Sequence, residues 1–189
     1  MTKEDTARQI KALADQGMQE SRDCLFYLLG FILLSFGKKE YKGLKERVEA
    51  KMEELIRLFN QEIEKETNWR EVISKPHRIM TSIPFLLPPE YPKLHKVIMG
   101  VYMLATRYKG LSIVANQIAQ GAEEAEVLEN RFNSIDSEWR ILVGDITEFC
   151  KAHTEVLQLK DFKTISKHDK LIQQIENLKN KLITGQNSV

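Results

Sequence analysis

Neither the glycine nor the proline of this chain is spread in a way that suits a sheet protein. It has nine glycines and five prolines in 189 residues, and all five prolines lie between Pro76 and Pro92. No alternating apolar run stands between turn signals, which excludes strands as a main ingredient. The two cysteines, Cys24 and Cys150, both fall inside apolar helical patterns, which fits buried thiols in a reducing compartment and excludes a disulfide framework. No run of apolar residues reaches the ~20 needed to cross a bilayer. Nothing between Met1 and Asp23 has the basic, apolar and small-residue order of a signal peptide. The expected location is therefore cytoplasmic.

Enzyme signatures are missing as well. The chain has no glycine loop for phosphates, no Gly-x-Ser-x-Gly, no His-Glu-x-x-His and no Glu-x-x-His pair of the di-iron type. Small helical ribonucleases use an arginine followed by a histidine after four to six intervening residues. Lys163 and His168 imitate that spacing, but an ammonium cannot fork onto phosphate as a guanidinium does. Cys150 and His153 share a helix face, yet a metal needs two further ligands and none is spaced to supply them. No catalytic residue, metal or cofactor is expected.

What is present is helical periodicity. Leu111, Val114, Ile118, Gly121, Ala125, Leu128, Phe132, Ile135, Trp139, Leu142, Ile146, Phe149, His153 and Val156 recur at alternating intervals of three and four. That is a heptad stripe, and it predicts one very long helix, or two collinear helices, over about 111–158. An unbroken helix of that length would be roughly 70 Å long. It would outreach a compact chain of this size, so the stripe also predicts self-association. The centre of the seam falls at Leu128, Phe132, Ile135, Trp139, Leu142 and Ile146. Gly121 and Gly144 mark points of bending or close backbone approach.

The fold expected is an all-α bundle of five to seven helices in a single domain, 1–189. It divides into an N-terminal helical pair (3–66), a proline-rich connection (76–92) and a C-terminal helical half (93–184). Thr2 and Asp5 form a capping box before a narrow stripe of Ile10, Leu13, Ala14 and Met18. Tyr41, Leu44, Val48, Met52, Leu55, Phe59 and Ile63 line the face of the second helix, and Thr67 or Asn68 can cap a short helix with Trp69, Val72 and Ile73.

Three stretches are candidates for contact with other molecules. Cys24 to Phe36 holds 13 residues without a charge, including Leu25, Phe26, Leu28, Leu29, Phe31, Ile32 and Leu33. At about 1.5 Å per residue it is too short to span, and it reads first as a helix covered on all sides and second as a segment that enters a membrane interface on assembly. Residues 67–120 carry seven Lys/Arg against two Asp/Glu, and 121–150 carry two against eight. Mutual neutralisation of two antiparallel helices is the simpler reading of that asymmetry. The alternative is an anion or nucleic-acid surface using Lys75, Arg78, Lys93, Lys96, Arg107 and Lys109. Pro88, Pro89 and Tyr91 form a short Pro-Pro-x-Tyr match that suits a rigid crossover better than a ligand for an aromatic groove. The acidic residues Glu123, Glu124, Glu126 and Glu129 read as a solvated face.

Taken together, the residues predict a non-enzymatic adaptor or scaffold that works through protein contacts and self-association. A membrane-active oligomer and a divergent nuclease or nucleic-acid binder are the alternatives.

Overall fold

The computed structural model describes residues 2–37, 42–74, 81, 93–154, 158 and 162–185. Every regular element among them is an α-helix. The order is α1 (Lys3–Gly37), α2 (Lys42–Lys65), α3 (Trp69–Ser74), α4 (Leu94–Ala119), α5 (Val127–Ala152) and α6 (Thr164–Ile183).

Helix α1 starts where the capping box places it. The Thr2 amide donates to Asp5 Oδ2 at 3.2 Å and the Asp5 amide donates to Thr2 Oγ1 at 3.1 Å, so two otherwise orphaned donors are satisfied reciprocally. The helix then runs 35 residues to Gly37 without a break at Cys24, where the composition turns apolar. At about 1.5 Å per residue it is roughly 52 Å long, the longest helix described. Its inward face is a heptad-spaced row of mostly small residues: Ala7, Ile10, Ala14, Gly17, Ser21, Cys24 and Leu28 are all buried. Small side chains let a neighbouring helix come close, and α4 is that neighbour. A Cβ on Gly17 would overlap the ring of Tyr108.

The most buried of the described helices is α4, and the segment 24–36 is not covered on all sides. Fifteen of the 26 residues of α4 are buried, whereas α5, of equal length, buries eight. Helix α4 touches α1, α2, α3 and α5, which accounts for the difference. A helix apolar on one stripe needs one partner; a helix apolar around most of its circumference needs several.

The heptad stretch 111–158 is neither one helix nor a collinear pair. Helix α4 ends at Ala119, Gly121 takes φ +73°, and α5 begins at Val127. The chain reverses there. Gly100 lies against Leu142 and Arg107 against Glu138, so the residue numbers of facing positions sum to a nearly constant value, the signature of an antiparallel pair. The left-handed φ at Gly121 is open to glycine and costs other residues about 1 kcal/mol or more. From Leu111 to Phe149 the stripe is thereby buried against its own chain, Gly121 at the turn excepted; Val156 lies outside the described residues. Gly121 and Gly144 admit no close backbone approach, since a Cβ built on either meets nothing within 4 Å. The close approaches are at Gly17 and Gly100.

Helix α2 packs on α1 and α4, with Val48, Met52, Leu55, Leu58, Phe59 and Ile63 buried. Phe59 meets Tyr102 of α4 edge-on, with ring centroids 5.5 Å apart. The short α3 is capped by Asn68, whose Oδ1 accepts from the Arg70 amide at 3.0 Å, and rests on α4. Helix α6 returns along α1 and α5.

Candidate functional site

Of the apolar segment 24–36, Cys24, Leu25, Leu28 and Leu29 are buried and Leu33 is half-buried. Phe26 is 46% exposed and Tyr27 37%, and Gly30 lies open beside them. Tyr27 also meets Phe162 edge-on at 6.0 Å. The side chains of Phe31 and Ile32 lie outside the described residues. Among the described residues no helix is long and apolar enough to cross a membrane. In its described part the segment therefore presents Phe26 and Tyr27 and buries Cys24, Leu25, Leu28 and Leu29. On α5, Ile141 is 57% exposed, a further large apolar side chain at the surface.

The seam residues Leu128, Phe132, Ile135, Trp139, Leu142 and Ile146 are all buried, none more than 5% exposed. Around Trp139 the packing turns polar. The Trp139 indole Nε1–H donates to Asp169 Oδ1 at 2.8 Å. The same indole lies 4.7 Å from the His168 ring, and His168 stacks on Tyr108 with centroids 5.7 Å apart. The Tyr108 hydroxyl and His168 Nδ1 are 3.1 Å apart. His168 is 1% exposed, and burial holds its imidazole down at about 4 against the pull of Asp169 and the Glu20 backbone, with Lys167 adding to the depression. Burial also pushes the Tyr108 phenol well above its usual range. A cleft of about 330 Å³ is lined by Asp136, Trp139, Arg140, Val143, Ile165 and Asp169. His168 is not among the residues that line it. An imidazole enclosed by two aromatic rings cannot serve a general acid or base step on a substrate it never meets, so Lys163 and His168 do not form a nuclease pair. This node joins α1, α4, α5 and α6 and is structural.

Among the described residues the candidate anion contacts do not converge. Lys75 and Arg78 lie outside the described residues, as do Pro88, Pro89 and Tyr91. Lys93 and Lys96 are exposed, and Lys96 stands eleven residues from Arg107, roughly 16 Å along α4. Lys109 is about 200° around the helix from Arg107. Arg107 pairs with Glu138 at 3.5 Å, and Arg70 pairs with Glu123 at 3.2 Å. Both pairs join the basic segment 67–120 to the acidic segment 121–150, in agreement with the simpler reading of the charge asymmetry.

The residue that sequence reasoning passed over is Arg131, one of two cations inside the acidic segment. Its guanidinium carbon lies 4.8 Å from the centre of the Trp69 ring, and that of Arg70 lies 4.3 Å from the same ring. Burial lowers the Arg131 guanidinium from its ordinary range, and repulsion from Arg107 adds to the effect. No periodicity signals this cluster, because its members come from α3, α4 and α5.

Among the acidic residues, Glu123 faces Arg70, and Glu129 accepts from Lys179 at 2.6 Å. Lys179 is 4% exposed and lies 4.7 Å over the Phe132 ring, so this pair fastens α6 to α5. Cys150 is buried and His153 stacks on Phe149 at 4.8 Å. Among the described residues no group of three or more His, Cys, Asp and Glu side chains is placed to hold a metal. An open groove of about 450 Å³ runs between α1 and α6, lined by Gln9, Ala12, Leu13, Gln174, Asn177 and Leu178. The chain matches no protein-family model, no curated protein and no solved structure.

Proposed function

We propose that the protein acts by binding and not by catalysis, as a helical scaffold that self-associates through the exposed aromatic flank of α1. The observation that carries this reading is the exposure of Phe26 and Tyr27 next to the open Gly30, in the stretch of α1 that lacks charges. Large aromatic side chains left on a surface are the usual anchors of protein contacts. The heptad stripe no longer supplies the contact, since it is covered by the hairpin of α4 and α5. The finer reading of the fold, a bundle of α1, α4, α5 and α6 with a heptad seam, is supported by the single buried apolar cluster that runs through these helices.

Sedimentation velocity on the wild type and on Phe26→Glu tests this. Phe26 is half exposed, so the substitution leaves the core in place. Self-association of the wild type at tens of micromolar, lost in Phe26→Glu, supports the reading. A wild type that is a 22 kDa monomer throughout removes it. The same aromatic flank favours a second reading, attachment to a membrane interface, where half-buried rings are at home. Flotation with anionic vesicles separates the two. Binding of vesicles by a monomer that Phe26→Glu abolishes transfers the flank from a protein partner to lipid.

A further inference from the structure

Between Gln9 and Gly30, α1 exposes a row of seven residues that stand alternately three and four apart, the spacing at which one helix packs along another. Tyr27 is the only other exposed residue of that stretch, and Asp23 is the only charged one. On α2, by contrast, seven of the nine exposed residues described are charged, as suits a solvated helix face. Depletion of charge is what marks the centre of a protein interface.

The charges that flank the row are neutralised within the chain: Lys11 pairs with Asp15, Glu20 with Lys167 and Arg22 with Glu64. The two ends of the row differ in shape. At one end Ala12 belongs to the open groove of about 450 Å³ between α1 and α6, whose six lining residues carry no charge. At the other stands Phe26, 46% exposed. It lies fourteen residues further on, roughly 21 Å along the helix and within about 40° of the same direction. A recess and a projecting ring therefore share one face of one helix.

We propose that this face is where two copies of the chain meet, their α1 helices antiparallel about a two-fold axis at Gln19, with Phe26 of each copy seated on Ala12 in the groove of the other. An isologous contact needs a patch that is complementary to itself after the rotation. In this register large residues face small ones, Phe26 against Ala12 and Gln9 against Gly30, where a built Cβ meets nothing within 4 Å. Asp23 faces Gln16, whose amide can donate to the carboxylate, and Gln19 faces its own counterpart. A parallel pair instead sets Asp23 against Asp23 and leaves the groove unfilled, and like charges opposed across a contact are costly. A helix pair roughly 32 Å long is small beside a standard interface, so the dimer is a reversible one. The proposal rests on self-association through α1 and names the surface that receives Phe26.

The test is sedimentation velocity on the wild type, Phe26→Glu, Ala12→Lys and an equimolar mixture of the two variants. Both positions are exposed, and circular dichroism confirms that each variant is folded. Each variant alone should associate about a hundredfold or more weakly than the wild type, because its homodimer sets two unpaired charges into the contact. The mixture should recover a dimer. One of its two contacts is then the wild-type pair of Phe26 on Ala12, and the other brings the introduced carboxylate to the introduced ammonium. Recovery in the mixture supports the antiparallel register, which a parallel pair does not reproduce. Wild-type association by Ala12→Lys alone, or a mixture that stays monomeric, overturns the register and leaves self-association through Phe26 in place. A wild type that is monomeric throughout, or a Phe26→Glu that associates as the wild type does, overturns self-association through this flank and the register with it.

Discussion

The Tyr108 hydroxyl stands 3.1 Å from Nδ1 of His168, across sixty residues of chain, and the two rings stack. Burial keeps His168 neutral at physiological pH. Its pKa falls from 6.5 to about 4 because burial penalises the imidazolium more than Asp169 and the Glu20 backbone favour it.

Stability should therefore depend on pH through this residue. A folded pKa below the unfolded one means that the unfolded chain binds the proton first. The contribution is intact above about pH 6.5 and is lost as pH falls toward 4, so the fold weakens on acidification by about 2 kcal/mol at pH 5. Thermal melts at pH 7 and pH 5, with His168→Gln as the comparison, check this. The substitution should lower the melting temperature at pH 7 and reduce the difference between the two pH values. An equal pH dependence in wild type and variant would remove His168 as its source.

Two glycines in helix interiors should respond differently to alanine. At Gly17 the new methyl group meets the rigid ring of Tyr108, and at Gly100 it comes 2.9 Å from Cδ1 of Leu142, the movable end of a flexible chain. Overpacking costs about 1–3 kcal/mol where nothing yields, and alanine returns up to ~1 kcal/mol of helix propensity. Gly17→Ala should be clearly destabilising in urea denaturation and Gly100→Ala close to neutral. Leu142→Ala, which empties the same contact with Gly100, should cost about 2–5 kcal/mol.

Leu29 separates core from surface within the charge-free stretch. It is 2% exposed, so Leu29→Asp buries an unpaired carboxylate and should unfold the protein, at a cost of several kcal/mol. Phe26→Glu, three residues away and 46% exposed, should keep the wild-type dichroism. A soluble, fully helical Leu29→Asp would mean that this part of α1 is not packed in solution.

Which residues of 111–149 face inward was legible because a helix repeats every 3.6 residues whatever it packs against, and Leu128 to Ile146 follow that rule. The reversal at Gly121 was not legible from spacing. The connection from Gln120 to Glu126 holds seven residues, one heptad, so the phase passes through the turn without a slip. The signal that could have found it is the size of the residues at the stripe's own positions: Gly121 and Ala125 stand where a continuous seam would carry large side chains.

The cap at Thr2 and Asp5 and the helical class follow from local chemistry that the sequence by itself determined, since each depends on residues within one or two turns. The small-residue face of α1 escaped the apolar pattern because Gly17 and Ser21 do not count as hydrophobic, although burial there rewards small volume more than apolarity. Only the tertiary structure decided that the stripe closes on its own chain, that α4 is the most buried of the described helices, that His168 is enclosed, and that Arg131 meets Trp69. Those depend on which elements approach in space, and approach is set by the summed packing of the helices, which no window of the chain contains.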